Sequence, residues 1–254
     1  MADILRTTAH RPYPLPTEPW RMAQRWNDLL FAHWPIPPSA IAPLLPSGLD
    51  LDTFDGNAWV GVVPFWMDRV RTRVAGQQTI TIPSTGSFSE LNLRTYVRSR
   101  RSGLHGVYFF ALEAASALAV IGARTLFHLP YFYASMHRQS VPGGVTHYTS
   151  RRLLTRASVR FEARYRSLGS TPSPGAPGTL GHFLTERYCL FTSFQNKILV
   201  GDIHHLPWPL EAAEVEIVHN DLPLAHNIVL PSQPPLLHYA RELEVFIWPL
   251  RPDR

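Results

Sequence analysis

SFSELNLRTYV, residues 87 to 97, sets polar side chains at every second position: Glu90, Asn92, Arg94 and Tyr96. On a β-strand alternate side chains share a face, so these four stand in a row while Leu91, Leu93 and Val97 face the other way. Two arrangements satisfy the pattern. In one, the strand is half exposed and its polar face meets water. In the other, the strand lines a cavity in which a carboxylate, an amide, a guanidinium and a phenol converge on a small ligand.

The rest of the composition agrees with a β-rich chain. Its 254 residues suit one large β domain or two smaller ones. Hydrophobic residues make up 45% and charged residues 17%, against roughly 25% charged in ordinary soluble domains. So little charge implies apolar surface hidden in a cavity or a subunit contact, which leaves a homo-oligomer open. The 24 prolines, about twice the usual share of roughly 5%, favour short strands and rigid turns over long helices.

A net charge of +5 raises nucleic acid as a partner, but the distribution argues against it. Of the 24 basic residues only Lys197 is a lysine, and the arginines are scattered. Arg69, Arg71 and Arg73 alternate, as do Arg160, Glu162, Arg164 and Arg166, the pattern of solvated strand faces. No recognition-helix, zinc-finger or RNA-binding strand signature accompanies them. The single cysteine, Cys189, forbids an intrachain disulfide and suits a reducing compartment. The N-terminal residues lack an apolar signal core, and Glu113 and Arg124 interrupt the most apolar run, Val107 to Phe127. The expectation is a cytoplasmic protein with no membrane partner.

Working along the chain, residues 1–19 read as a loose proline-punctuated arm and 20–254 as a single domain. From Trp20 to Trp34 the apolar spacing fits a helix and a strand equally well. Ser39 to Leu45 predicts one helical turn, and Asp55-Gly56 predicts a hairpin between Leu49 and Val63. Phe65 to Val74 extends as a strand, and residues 76–86 connect it to the polar row. That strand pairs with Val107 to Leu112. Ser116 caps a helix that runs to Phe127, with Leu118, Ile121, Thr125 and Leu126 on one side. Hairpins follow around Pro142-Gly143-Gly144 and Asn196-Lys197. Ala157 to Arg166 alternates as a strand, Ser167 to Gly178 is a surface loop, Thr179 to Thr185 a short helix, and Arg241 to Trp248 the last strand.

Six blocks, in order, resemble the uncharacterised YqjF-like family, itself related to acetoacetate decarboxylases. They are LLFAHWPIPP from Leu29, LDTFDGNAWVGVVPF from Leu51, ELNLRTYV from Glu90, FHLPYF from Phe127, LTERYCLF from Leu184 and IHHLPWPL from Ile203. The resemblance implies a mainly antiparallel cone-like β-barrel of acetoacetate-decarboxylase type with a few short covering helices. The decarboxylase pattern has an aromatic and a Glu two residues apart, a small-Arg helix, and a Phe-Pro-Lys-Lys turn that carries the Schiff-base lysine. Phe88 and Glu90 match the first element, Ala123-Arg124 resembles the second and Leu129-Pro130 the third, but Tyr131 and Phe132 stand where the lysines would be.

An imine mechanism needs an amine of depressed pKa in an apolar or cationic site. Lys197 sits in a turn between two strands, so that chemistry is disfavoured. With the barrel that the resemblance implies, a buried Glu90 needs a partner, and Arg94 or Arg124 is expected to supply it. Glu90 then becomes the proton-transfer group, with Arg94 and Tyr131 orienting a small carbonyl or carboxylate compound. Asn92, Arg124, His33, His128, Tyr188 and His205 complete the candidate binding set, the histidines because they lie in the family blocks close to a proline. The 12 histidines show no HExxH spacing, and no glycine-rich phosphate loop follows any strand, so neither metal nor nucleotide cofactor is expected. Cys189 has no nucleophile signature. A binding or sensing module using the same pocket without turnover is the alternative function, and a basic nucleic-acid binder a third.

Overall fold

The stretch compatible with both helix and strand forms β1 (Met22–Ile36), and one residue explains its ambiguous spacing. Asp28 takes φ 48°, and the register against the neighbouring strand shifts between Asn27 and Ala32. Before this bulge the even residues Met22 and Trp26 pack on the interior cluster; after it the odd residues Leu29 and Phe31 do, while Leu30, Ala32 and Trp34 face an outer cluster. A bulge adds one residue and so reverses which face every later side chain occupies. The two-residue alternation is broken mid-strand.

The computed structural model describes residues 2–74 and 78–254. A short helix α1 (Ala2–Arg6) precedes β1, and α2 (Pro38–Ile41) follows it. Next come β2 (Leu49–Leu51), β3 (Ala58–Arg73), β4 (Thr79–Ile80), β5 (Phe88–Ser99) and β6 (His105–Ala114). Helix α3 (Ala117–Leu126) leads to β7 (Tyr131–Val141), β8 (Val145–Arg152) and β9 (Arg160–Ser167). Helix α4 (Leu180–Thr185) precedes β10 (Cys189–Phe194), β11 (Lys197–His204), β12 (Ala213–Asn220), β13 (Leu236–Ile247) and β14 (Arg251–Pro252). The class is mainly β with a few short helices.

Strand pairings close into a ring: β5 with β6, β6 with β10, β10 with β11, β11 with β13, β13 with β1, β1 with β3, and β3 back to β5. All are antiparallel except β6–β10. Closure removes the open edges that would otherwise template aggregation. Strand β7 pairs in parallel with the end of β6 and carries β8, β9 and β12 into a second layer. Leu91 and Leu93 are buried in the outer cluster with Tyr148, Phe161 and Tyr165 of that layer. Both faces of β5 are therefore covered, and its polar row turns inward.

Several local expectations are refined. At Asp55-Gly56 a tight turn forms, with both residues at positive φ and Phe54 and Asn57 exchanging backbone hydrogen bonds of 3.0 Å. Strand β2 nevertheless pairs with β5, because β3 already has β1 on one edge and β5 on the other. The later turn centres on Gln195 and Asn196, one residue early, and Lys197 opens β11 opposite Phe194. Strand β12 adds to the expected set, and β13 starts five residues before Arg241. Ser116 caps α3 by accepting from the Ala119 amide, but Leu118, Ile121 and Leu126 are exposed and Val120 is the buried residue. Of the expected connection over 76–86, residues 76 and 77 lie outside the described residues, and Thr79–Ile80 pairs with β3.

The N-terminal arm is pinned instead of loose. Arg11 is buried, donates to the Ile203 carbonyl at 2.6 Å and stacks over the rings of Tyr13 and Tyr188. No helix among the described residues is long and apolar enough to cross a membrane.

Inside the barrel, His33 is fully buried, with Nε2 2.6 Å from the Tyr96 hydroxyl. A Cβ on Gly61 would lie 2.8 Å from that nitrogen. Gly61→Ala is therefore expected to lower the unfolding free energy by about 1–3 kcal/mol in urea denaturation. Adding His33→Ala to it should recover part of that loss.

Candidate functional site

The inward row of β5 meets a cavity of about 90 Å³ at one end of the barrel. Its walls are apolar: Met22 and Trp26 from β1, Phe109 and Leu112 from β6, Ala123 and Phe127 around α3, then Leu129, Leu190, Ile203 and Ile247. Four polar residues interrupt them, Gln24, Glu90, Asn92 and Tyr131. Gln24 is already engaged, accepting from the Trp26 indole at 2.7 Å. A cavity with apolar walls and a few convergent polar groups is the usual form of a small-molecule site.

Glu90 is the centre of this group. The Tyr131 hydroxyl donates to Glu90 Oε2 at 2.8 Å, and the Asn92 amide lies beside the carboxyl. Neither carries a charge. Burial among apolar side chains pushes the Glu90 carboxyl up to about 8, with Tyr131 and Asn92 only partly offsetting that rise. The same burial, with Glu90 next to it, holds the Tyr131 hydroxyl well above the usual phenol range. At neutral pH the pair is an uncharged acid and phenol enclosed together.

The expected ion pair of Glu90 with Arg94 or Arg124 does not form. Arg94 is buried further along the row, donating to the Tyr96 hydroxyl and the Leu184 carbonyl, both at 3.2 Å, with its guanidinium 5.0 Å from the Phe31 ring centre. Residues four apart on a strand are separated by roughly 13 Å, unlike the neighbours they would be on a helix. Arg124 points to solvent, because Ala123 is the residue of that turn facing the cavity.

The remaining candidates lie elsewhere. His33 belongs to the Arg94–Tyr96 end of the interior. His128 stacks on Phe194 at 3.9 Å, bordering an outer cleft that it shares with Arg124. Tyr188 and His205 stack on each other at 4.7 Å, Tyr188 donating to Glu186 and His205 contacting Trp208. None of these lines the cavity around Glu90. Cys189 is buried, and its thiol is pushed up to about 12, chiefly by burial, which makes it a poor nucleophile. Among the described residues no group of three or more His, Cys, Asp or Glu could hold a metal ion.

Gln24 and the apolar walls were missed by sequence reasoning. Their signal was present, since Met22, Gln24 and Trp26 repeat the two-residue period of β5, but without the bulge at Asp28 they cannot be separated from the later residues of the strand.

Residues 23–244 match the model of the DUF2071 family, described as an uncharacterized conserved protein. The chain belongs to this family. Uncharacterized protein YqjF of Bacillus subtilis strain 168 is 47% identical over 232 residues, which are 91% of this chain and 92% of that one. Among solved structures, the enduracididine biosynthesis enzyme MppR complexed with pyruvate aligns with a TM-score of 0.61 at 13% identity, over 95% of this chain and 93% of its own. Acetoacetate decarboxylase from Legionella pneumophila gives 0.58 at 12% identity, over 100% and 95%. At such identities the likeness shows the fold alone, and this DUF2071 protein has the acetoacetate-decarboxylase-like fold.

In this DUF2071 chain Tyr131 follows Pro130 and meets Glu90, and no lysine lines the cavity. Lys197 is exposed at the start of β11. Borohydride added with a β-keto acid should accordingly leave the mass of the protein unchanged, whereas a stable adduct on Lys197 would show that an amine here is reactive.

The raised pKa of Glu90 also fixes a pH dependence. The folded carboxyl keeps its proton up to about 8 while the unfolded chain releases it near 4.5, so the folded state binds more protons between those values. Stability then falls as pH rises through that window, by up to about 1.4 kcal/mol per pH unit. Histidines whose desolvation favours the neutral form, such as His204 and His226, both lowered to about 4, act in the opposite sense below pH 6.5. They are common to Glu90→Gln, so the difference between wild type and that variant, followed by denaturation from pH 5 to 8, isolates the slope of Glu90.

Proposed function

We propose that this protein is an acid–base enzyme for a small carbonyl or carboxylate compound, with Glu90 moving the proton and Tyr131 orienting the carbonyl oxygen. The observation that carries this reading is the contact between a carboxyl that burial pushes up to about 8 and a phenol 2.8 Å away, inside an apolar cavity. A general base works best when its pKa lies near the operating pH, and a buried carboxylate reaches that range only by losing water and cations. The Glu90 carboxylate would take a proton from the carbon next to the carbonyl. The electron pair of that C–H bond moves into the carbonyl, and the Tyr131 hydroxyl donates to the enolate oxygen where the charge develops. Return of the proton to carbon completes an isomerisation or exchange with no lysine imine and no decarboxylation. Arg94, bonded to the Leu184 carbonyl, supports the barrel wall without touching the ligand.

The lone, buried Cys189 suits a reducing compartment, and we place the protein in the cytoplasm. Its partner is a small molecule. The test is deuterium exchange: small ketones and oxo acids are incubated with the protein in heavy water, and loss of the signal of the proton next to the carbonyl is followed by NMR. The rate is expected to rise with pH and level off above about 8, as the ionised base accumulates. Glu90→Gln should abolish it and Tyr131→Phe should reduce it about 100-fold, the size of a lost oxyanion donor. Binding of a ligand with no exchange would instead identify a binding module.

A further inference from the structure

With Glu90 as the proton carrier and Tyr131 as the donor, a reading on which this specificity rests, the charges around the cavity narrow the ligand further. None of the residues lining the cavity is an arginine, lysine or histidine. The two cations that could approach are held away: Arg94 donates to Leu184 and Tyr96, and Arg124 is exposed on the outer side of α3. The carboxyl of the site itself is kept uncharged by the same walls. A carboxylate ligand would thus lose its water and meet no cation, beside a group that already resists ionisation.

A second observation concerns Asn92. Its Oδ1 is buried and has no hydrogen-bond partner, although the residue lines the cavity beside Glu90. A buried acceptor left alone is costly, and an N–H or O–H from a ligand would satisfy it. The site therefore offers a donor at Tyr131 and an open acceptor at Asn92. The volume of about 90 Å³ suits a small molecule only.

We infer that the cavity takes an uncharged carbonyl compound of a few heavy atoms that also carries an N–H or O–H donor, and that it rejects the carboxylate of the same shape. The carbonyl accepts from Tyr131 and the donor faces Asn92 Oδ1. A 3-oxo amide or the enol form of a dicarbonyl has this pairing.

Acetoacetamide and acetoacetate differ only in that an amide nitrogen replaces a carboxylate oxygen, and pyruvamide and pyruvate form a second such pair. Affinities at pH 7 are measured for all four by ligand-observed NMR with the full chain. The amide of each pair is expected to bind at least tenfold more tightly, and Asn92→Leu to remove most of that advantage. A preference under tenfold, a preference for the carboxylate, or no binding of either amide overturns the inference. Deuterium exchange in the same samples keeps the two readings apart: selective amide binding without Glu90-dependent exchange removes the enzyme and leaves the specificity, whereas exchange with an unselective or carboxylate-preferring cavity does the reverse.

Discussion

A carboxyl group closed inside a barrel without a cation is the constraint around which this molecule is arranged. Glu90 is buried on the inner face of a ring of seven paired strands, and the layer of β7, β8, β9 and β12 covers the outer face of β5 with Leu91 and Leu93. Under these conditions the lowest free energy is reached by holding the proton and by lending the carboxyl a neutral donor, Tyr131. The backbone takes part as well. Tyr148, from the covering layer, donates to the carbonyls of Glu90 and Phe65, at 2.7 and 3.1 Å, and so ties the second layer to the strand that carries the acid.

The other end of the interior solves the opposite problem, a buried cation with no carboxylate. Arg94 does so with a carbonyl from α4, a phenol, and the faces of Phe31 and Tyr96. His33 beside it is held neutral, its pKa far below the ordinary value, first by burial and then by the guanidinium. The barrel therefore keeps a carboxyl and a guanidinium at separate depths of one strand face, with Asn92 between them. Had they paired, the guanidinium would favour the ionised form of Glu90.

Much of this was legible in the sequence, and the failures have physical causes. The period of two in SFSELNLRTYV identified the strand and its polar face, and the proline-rich composition identified a β protein. Which face turned inward needed the resemblance, because a polar stripe looks the same against water and against a cavity. Glu90 and Arg94 share a face without pairing, because strand geometry spaces residues 90 and 94 too far apart. Arg124, His128, Tyr188 and His205 lie away from the Glu90 cavity for another reason: a motif block marks a stretch of chain, and adjacent residues on a helix or strand point in different directions. Ala123 reaches the cavity and Arg124 does not. Bulges were the least visible feature. Asp28 and Arg69, at φ 48° and 50°, lie in two adjacent strands, and at Asp28 the bulge swaps the residues that face the interior.

The residue after Pro130 decides how the Glu90 carboxyl is partnered. An amine at that position, facing Glu90, would favour the carboxylate and be favoured by it, so the site would hold an ion pair and, with the amine deprotonated, a nucleophile. A phenol cannot neutralise the carboxyl, since its own proton is held still more tightly by the same burial. The two side chains instead form a chain of neutral donors and acceptors, in which the more acidic member is Glu90. No amine lines this cavity, which holds a carboxyl raised by burial with a phenolic hydrogen-bond donor beside it. The apolar walls of the cavity and the absence of a cation among its lining residues hold the Glu90 carboxyl in that raised range.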